Sequence, residues 1–409
     1  MTIFFSIEIK NKYIGISDIL TRLYKTYCLG IALSYSYIHK PFSCSRSLPN
    51  STFDRILRKI SGFNEGKPSH FNIENDLFVA SFLGMSNSGD NSDFNTISNI
   101  TIDIAKVLDS VLFQNIGELK SRIEDSISSL NSITINFLVT DRIYNEKVSA
   151  NFQKLFGLTS LEDCHSSELG KSFREFASTR YWQARSRQPV SIPFKQDRIR
   201  LLVHIRRGDR VWVELPDKTL LMHGDELLIV DNSVKYSENN YILSSLSSSL
   251  PNKFRKPVSV DVIKEVIEQL FIEYGRSAFS MIVISDGYKR AYQELNYALR
   301  SGKIKLSQSE KKQVNLFFQQ QQKEIIDFAK SVNAELILGE DSKVKFMKSV
   351  HAVVCADFII KTTGGFTSLN RLLRVQDSPS VFLGTSDLTP QTLEVFLTEA
   401  RHFRKPYGS

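Results

Sequence analysis

A chain of 409 residues exceeds what one hydrophobic core usually serves, so two domains are expected and a single small module is excluded. Its 42% hydrophobic and 23% charged residues, with 19 Gly and 11 Pro, belong to a globular chain and exclude long disorder or a fibrous repeat. The net charge is +8, and the four cysteines (Cys28, Cys44, Cys164, Cys355) include no C-x-x-C pair, so they read as reduced thiols and exclude a disulfide framework or zinc knuckle.

The opening MTIFFSIEIKNKYIG has no basic start followed by an apolar run, and no stretch approaches the length of a membrane span, so a soluble, cytoplasmic chain is expected. A strand at 3–9, a helix at 19–36 and a short strand at 37–39 make a β-α-β start. The Ser-, Asn- and Gly-rich stretch to residue 95 shows only short helical signals such as 53–60. Ile116, Leu119, Ile123, Ile127 and Leu130 then recur at helical steps, followed by a strand at 133–139. The segment RSRQPVSIPFKQD at 185–197 carries two prolines and no helical period, as an interdomain linker does.

Beyond the linker the alternation is clearer. Strands are expected at 199–205, 281–285, 335–338, 358–360 and 380–383, and helices at 260–274, 314–331, 344–355, from 368, and at 391–400. Strands alternating with helices read as a parallel sheet covered on both faces, and such sheets bind ligands beyond the carboxyl ends of their strands.

The positive charge is concentrated. Between positions 174 and 210 stand nine arginines (174, 180, 185, 187, 198, 200, 206, 207, 210) and Lys195 against Glu175, Asp197 and Asp209, a balance of +7. Arginine in place of lysine favours forked recognition of phosphate or carboxylate. Within this window, Val203-His204-Ile205-Arg206-Arg207-Gly208-Asp209-Arg210 is an apolar strand running into a loop. Successive strand residues point to opposite sides, so one of Arg206 and Arg207 can face a ligand while the other braces the loop. No D-x-D, Walker-type loop or H-E-x-x-H is present, and no metal site is expected.

The segment His204-Ile-Arg-Arg-Gly-Asp209 resembles the H-x-R-R-x-D signature of the α1,2-/α1,6-/protein O-fucosyltransferase superfamily, whose members move fucose from GDP-fucose on a two-domain GT-B fold. Glu214, ten positions after the histidine, and Arg210, six after it, match the spacing of the α1,6 branch. The later stretch SVHAVVCADFIIKTTGGFTSLNRLL (349–373) is similar to the family's A-D-hydrophobic strand, Ser/Thr-rich turn and helix, and 15–42 looks like its opening helix and strand. The opening IGISD, the turn TTGGFTS and the strand end Ser285-Asp286-Gly287 depart from the family pattern, and roughly residues 45–180 have no counterpart in it.

The resemblance implies a GT-B α/β protein of two Rossmann-like domains facing across a cleft: residues 1–190 on the acceptor side and 191–409 binding the nucleotide sugar. It implies an inverting, metal-independent transfer of fucose to a glycan hydroxyl, with GDP-fucose as donor substrate and no cofactor. Arg206 or Arg207 would stabilise the departing phosphate, and Glu214 would accept the proton. His204, Asp209 and Arg210 would shape the nucleotide loop, Asp341 or Asp357 would contact guanine, and Thr363, Gly365, Thr367 and Ser368 would line the phosphate turn, with Thr367 or Ser368 capping the next helix. The alternatives are a GT-B transferase using another nucleotide sugar, an inactive relative, and a non-catalytic protein gripping phosphate or nucleic acid. The last is disfavoured by the scarcity of stacking aromatics near the arginines and the lack of a nucleic-acid-binding signature.

Overall fold

In the computed structural model the described residues are 2–9, 16–39, 83–85, 98–127, 132–140, 143, 145–157, 167–207, 210–223, 226–231, 258–286, 289–302, 304–338, 343–362, 364–375, 380–384 and 388–403. The helical signal at 53–60 lies outside them. Contacts divide the chain into a first unit, Met1–Pro189 with Ser368–Asp377, and a second, Val190–Thr367 with Ser378–Ser409. The short return of 368–377 to the first unit is not something a single cut at 190 describes.

The first unit is built on four parallel strands, β1 (Thr2–Ile9), β2 (Ser36–Tyr37), β3 (Ser98–Asp103) and β4 (Ser132–Val139), in the order β2-β1-β4-β3. One side of the central pair is apolar: Phe5, Ile7, Ile135 and Phe137 are buried. Helix Ile16–Ala32 lies on Phe5, and Gly30 allows the close approach, since a Cβ there would stand 2.3 Å from the Phe5 ring. The helix ends before residue 36 because Ser34 turns left-handed at φ 63°. Helix Glu168–Arg187 then packs Phe173 and Phe176 against Tyr24 and Tyr27. Its buried Gly170, Phe173, Ala177 and Tyr181 follow a helical period, one hidden in the sequence by the surrounding charges.

The second unit has a five-stranded parallel sheet of β5 (Ile199–Ile205), β9 (Phe279–Ser285), β10 (Glu335–Leu338), β11 (Phe358–Lys361) and β12 (Val381–Gly384), in the order β10-β9-β5-β11-β12. Leu201 to Ile205 are all buried, the continuous burial of a strand covered on both faces. Helices Val260–Tyr274 and Gln308–Ser331 contribute Ile263, Ile267, Leu270, Val314, Ile325 and Phe328 to its core. From β5 the chain proceeds outward to β9 and β10, then crosses to β11 and β12 on the other side. The strand order therefore reverses between β5 and β11, where doubly wound sheets open a crevice for ligands.

An antiparallel meander, β6 (Arg210–Glu214), β7 (Lys218–His223) and β8 (Glu226–Asp231), intervenes between β5 and the next helix. Its Val213, Leu215 and Leu220 join the second unit's core. Alternating apolar residues around a Pro-Asp turn were the available sign of it.

Candidate functional site

Three strand ends meet at the reversal point of the second unit: Ile205 of β5, Ser285 of β9 and Lys361 of β11, with the glycine turn following β11. The register pairs His204 with Lys361, so the segments 204–207 and 361–367 become neighbours across more than 150 residues of chain. The Arg206 N–H donates to Thr362 Oγ1 at 2.9 Å and the Thr362 N–H donates to the His204 carbonyl at 3.0 Å. Ser285 Oγ donates to the Ile205 carbonyl at 2.7 Å, tying β9 to the same edge.

The two arginines take the two directions that strand geometry demands. The Arg206 guanidinium lies over Gly364, where a Cβ would come within 2.5 Å of its Nη1, and Gly364 has φ 92°. Only glycine satisfies both the backbone and the contact. Arg206 is half-buried, a cation at the strand edge beside exposed Gly365. Arg207, only 1% exposed, turns into the core. Its N–H donates to Asp286 Oδ1 at 2.7 Å, Nη2 to the Val258 carbonyl at 2.6 Å and Nη1 to the Arg206 carbonyl at 3.2 Å. Its charge is also felt by Glu324, whose carboxyl is raised above the usual range by burial, with Arg207 opposing that rise and Asp261 adding to it. Of the two, Arg207 is therefore enclosed in the unit and Arg206 is the one left partly exposed at the strand edge.

His204 is 5% exposed, has its ring centre 5.5 Å from that of Phe366 in a tilted contact, and has its Nδ1 buried without a hydrogen-bond partner. Burial, then Arg206 and Lys361, pushes it down to about 3, so the ring is neutral at physiological pH. Thr367 is fully buried and its Oγ1 has no hydrogen-bond partner. The edge thus combines one guanidinium, a nearby lysine, a glycine turn and a neutral imidazole. Such a set suits a phosphate group beside a polar ring system.

Several expected site residues are placed elsewhere. Asp357 is 1% exposed and accepts from Arg200 Nε at 3.0 Å, Nη2 at 2.6 Å and its main-chain N–H at 2.9 Å. That forked pair joins the amino ends of β5 and β11, at the other end of these strands from His204 and Lys361. Ser368 belongs to the first unit, is buried, and makes no side-chain cap on helix Leu369–Leu373, whose five residues are too few for a strong N-terminal dipole. Nor does Thr367 cap it. Arg210 begins β6, and nothing is described of its side chain; Asp209, Asp341 and Thr363 lie outside the described residues.

Glu214 is exposed and accepts from Trp212 Nε1 at 2.9 Å. It sits at the far end of β6, beside the turn where Lys218 pairs with Glu310 at 2.7 Å. Glu310 precedes Glu324, the neighbour of Arg207, by almost four helical turns, roughly 20 Å at 1.5 Å per residue. Glu214 thus stands at the end of β6 remote from Arg210, paired across the hairpin with Thr219. The basic window is likewise dispersed: Arg174 to Arg187 ride on a helix of the first unit, Arg200 is paired with Asp357, and Arg207 is internal. Lys361, Thr362 and Phe366 lie in the stretch 349–373 but were not singled out within it, and Glu324 had no sign in sequence, because only the strand order and the packed helix bring them to His204 and Arg207.

Among the described residues no group of three or more His, Cys, Asp or Glu is placed to hold a metal ion, and no helix is long and apolar enough to cross a membrane. Compared with known proteins, the chain matches no family model and no curated protein.

Proposed function

We propose that the chain is a glycosyltransferase of GT-B type that binds a nucleoside-diphosphate sugar on the second unit, with GDP-fucose as donor and a glycan hydroxyl as acceptor. The observation that carries this reading is the Arg206 guanidinium seated over Gly364 at the point where the parallel sheet reverses its strand order. That is where α/β sheets take nucleotides, and a half-buried guanidinium there offsets diphosphate charge more strongly than an exposed one. In the proposed reaction the acceptor hydroxyl oxygen bonds to the sugar's anomeric carbon as that carbon's bond to the β-phosphate oxygen breaks, the electron pair leaves with the phosphate, Arg206 stabilises the charge that develops, and the hydroxyl proton passes to a carboxylate, the role that the resemblance gives to Glu214. Arg207 serves indirectly, fixing the carbonyl of Arg206 and the Asp286 carboxylate around the loop. The choice of fucose and guanine rests on the resemblance of His204–Asp209 and 349–373 to the fucosyltransferase superfamily. Transfer without a metal ion belongs to the same proposal.

Thermal shift of the full chain with GDP, UDP and ADP tests the donor. GDP at about 100 times its dissociation constant adds about 2.7 kcal/mol to the native state. Turnover of GDP-fucose in the presence and absence of EDTA tests the chemistry. No stabilisation by any nucleoside diphosphate would overturn the reading, and a strict, manganese-reversible loss in EDTA would overturn its metal-free form.

A further inference from the structure

We propose that His39 is an acid-sensitive pin within the first unit: as a neutral ring it holds the segment 83–85 beside the end of β2, and on gaining a proton it lets that segment go. The proposal is independent of what the second unit binds. His39 follows the last residue of β2 by two positions and is 6% exposed, while Leu83 and Met85 are fully buried. Its ring joins the two parts of the chain. Nδ1 lies 3.0 Å from the Tyr37 hydroxyl and Nε2 lies 3.1 Å from the Met85 carbonyl, a link across 46 residues.

A carbonyl oxygen only accepts, so Nε2 carries the proton and Nδ1 accepts from the Tyr37 O–H. One neutral tautomer satisfies both partners. A second proton turns Nδ1 into a donor facing the O–H that had donated to it, and it puts a charge where a neutral ring is enclosed. The surrounding groups oppose that charge. Arg180 of helix Glu168–Arg187 donates from Nη1 to the Gly84 carbonyl at 3.4 Å, and its guanidinium lies 5.2 Å from the centre of the Phe176 ring, which is 5.8 Å from that of His39. On the side of helix Ile16–Ala32, Tyr27 has its ring 5.1 Å from that of Tyr37, and Glu175 acts on Tyr27. Burial first, then Arg180, pushes His39 down to about 4, with the bond to Met85 opposing. Burial raises the Tyr37 hydroxyl, which therefore stays a donor.

The segment itself is seated by shape. Gly84 has φ 74°, and a Cβ there would run into the Arg180 carbonyl oxygen, so the segment lies against the backbone of the helix where only glycine fits. Such segments open locally at a free energy below that of global unfolding, and losing one pin shifts that opening without melting the unit. The sign follows from proton binding. The ring takes up its proton near 6.5 once released and near 4 while docked, so docking is strongest above pH 6.5 and weakens as pH falls towards 4. Between pH 7 and pH 5 the ratio of released to docked segment rises roughly 20-fold.

The test exposes the full chain to hydrogen peroxide at pH 7 and pH 5 and follows Met85 by mass spectrometry. The thioether sulfur takes one oxygen from the peroxide, which leaves as water. Met281, 8% exposed in the second unit, is the internal control, and the Trp182 indole N–H, which donates to the Leu373 carbonyl at 2.8 Å, reports by NMR that the first unit stays folded. In the native chain Met85 oxidation accelerates roughly 20-fold from pH 7 to pH 5, while Met281 and the Trp182 signal do not change. His39→Gln, whose amide offers one donor side and one acceptor side but does not ionise, keeps Met85 slow at both pH values. His39→Ala makes it fast at both. An equal rate for native Met85 at the two pH values would overturn the proposal, as would the same acceleration in His39→Gln. Loss of Met281 protection or of the Trp182 signal in step with Met85 would overturn it too, because the event would then be unfolding and not release of a segment.

Discussion

Replacing each of the adjacent arginines by alanine should produce two different failures. Arg207 is 1% exposed, makes side-chain hydrogen bonds to the carbonyls of Val258 and Arg206, and places its charge beside Glu324. Removing it leaves two carbonyls without their donor. Leaving each of them unsatisfied costs about 1–3 kcal/mol, or about 2–6 kcal/mol together. For a unit of about 200 residues each kcal/mol moves the melting midpoint by about 2–4 °C, so Arg207→Ala should melt roughly 4–24 °C lower. Arg206 is half-buried at the strand edge, and its alanine variant should lie within about 1 kcal/mol of native. Its loss should appear in the ligand: a charge-assisted contact of about 1.5–3 kcal/mol corresponds to roughly 10- to 100-fold weaker GDP binding. Differential scanning calorimetry paired with GDP titration measures both quantities on the same samples. An Arg207→Ala protein that melts like native while losing GDP, or an Arg206→Ala protein that keeps full GDP affinity, would refute the division of labour.

Gly364→Ala should mimic loss of Arg206 in GDP titration, because a methyl group 2.5 Å from Nη1 displaces the guanidinium and φ 92° strains any L residue; unchanged affinity would show that the guanidinium need not sit there. Asp357→Asn should lower the melting midpoint through loss of the buried pair with Arg200 yet leave the GDP affinity of folded protein intact, and a selective loss of affinity would return Asp357 to the ligand site. His204 and His39 are held down to about 3 and about 4, in both cases chiefly by burial. The unfolded chain protonates them near 6.5, so it binds more protons than the native state below that pH. Stability should fall as pH drops from 6.5 towards 4, by up to about 1.4 kcal/mol per pH unit for each ring. Denaturant melts at pH 7, 6 and 5 measure the slope, and a His204→Gln protein with the same slope as native would exclude that ring as a contributor.

Much of the second unit was legible before folding because a parallel strand buried on both faces must be an apolar run. The sequences LLVHI, MIVIS and FIIK are such runs between periodic helices. The amphipathic period of 260–274 likewise coincides with helix Val260–Tyr274. Local pattern was a poorer guide where two signals compete. Helix Glu168–Arg187 shows the arginine content of a linker more openly than its buried stripe, and the β6–β8 meander was hidden behind the loop motif that precedes it. Sequence spacing also pointed to Glu214, which the structure places exposed at the last position of β6.

What the sequence by itself determined is the alternation of strands and helices, the pairing of apolar faces, and the position of Arg206 and Arg207 at the end of a buried strand, since these depend on residues close together in the chain. Strand order, by contrast, depends on contacts between distant residues. Only the tertiary structure decided that β11 lies beside β5, placing Thr362 and Gly364 against Arg206, and that β4 lies beside β1, joining Ser6, Asn136 and Glu8. It also chose between the two arginines. Strand alternation requires them to diverge but does not say which goes inward; the Val258 carbonyl and Glu324, supplied by elements dozens of residues away, make Arg207 the buried one.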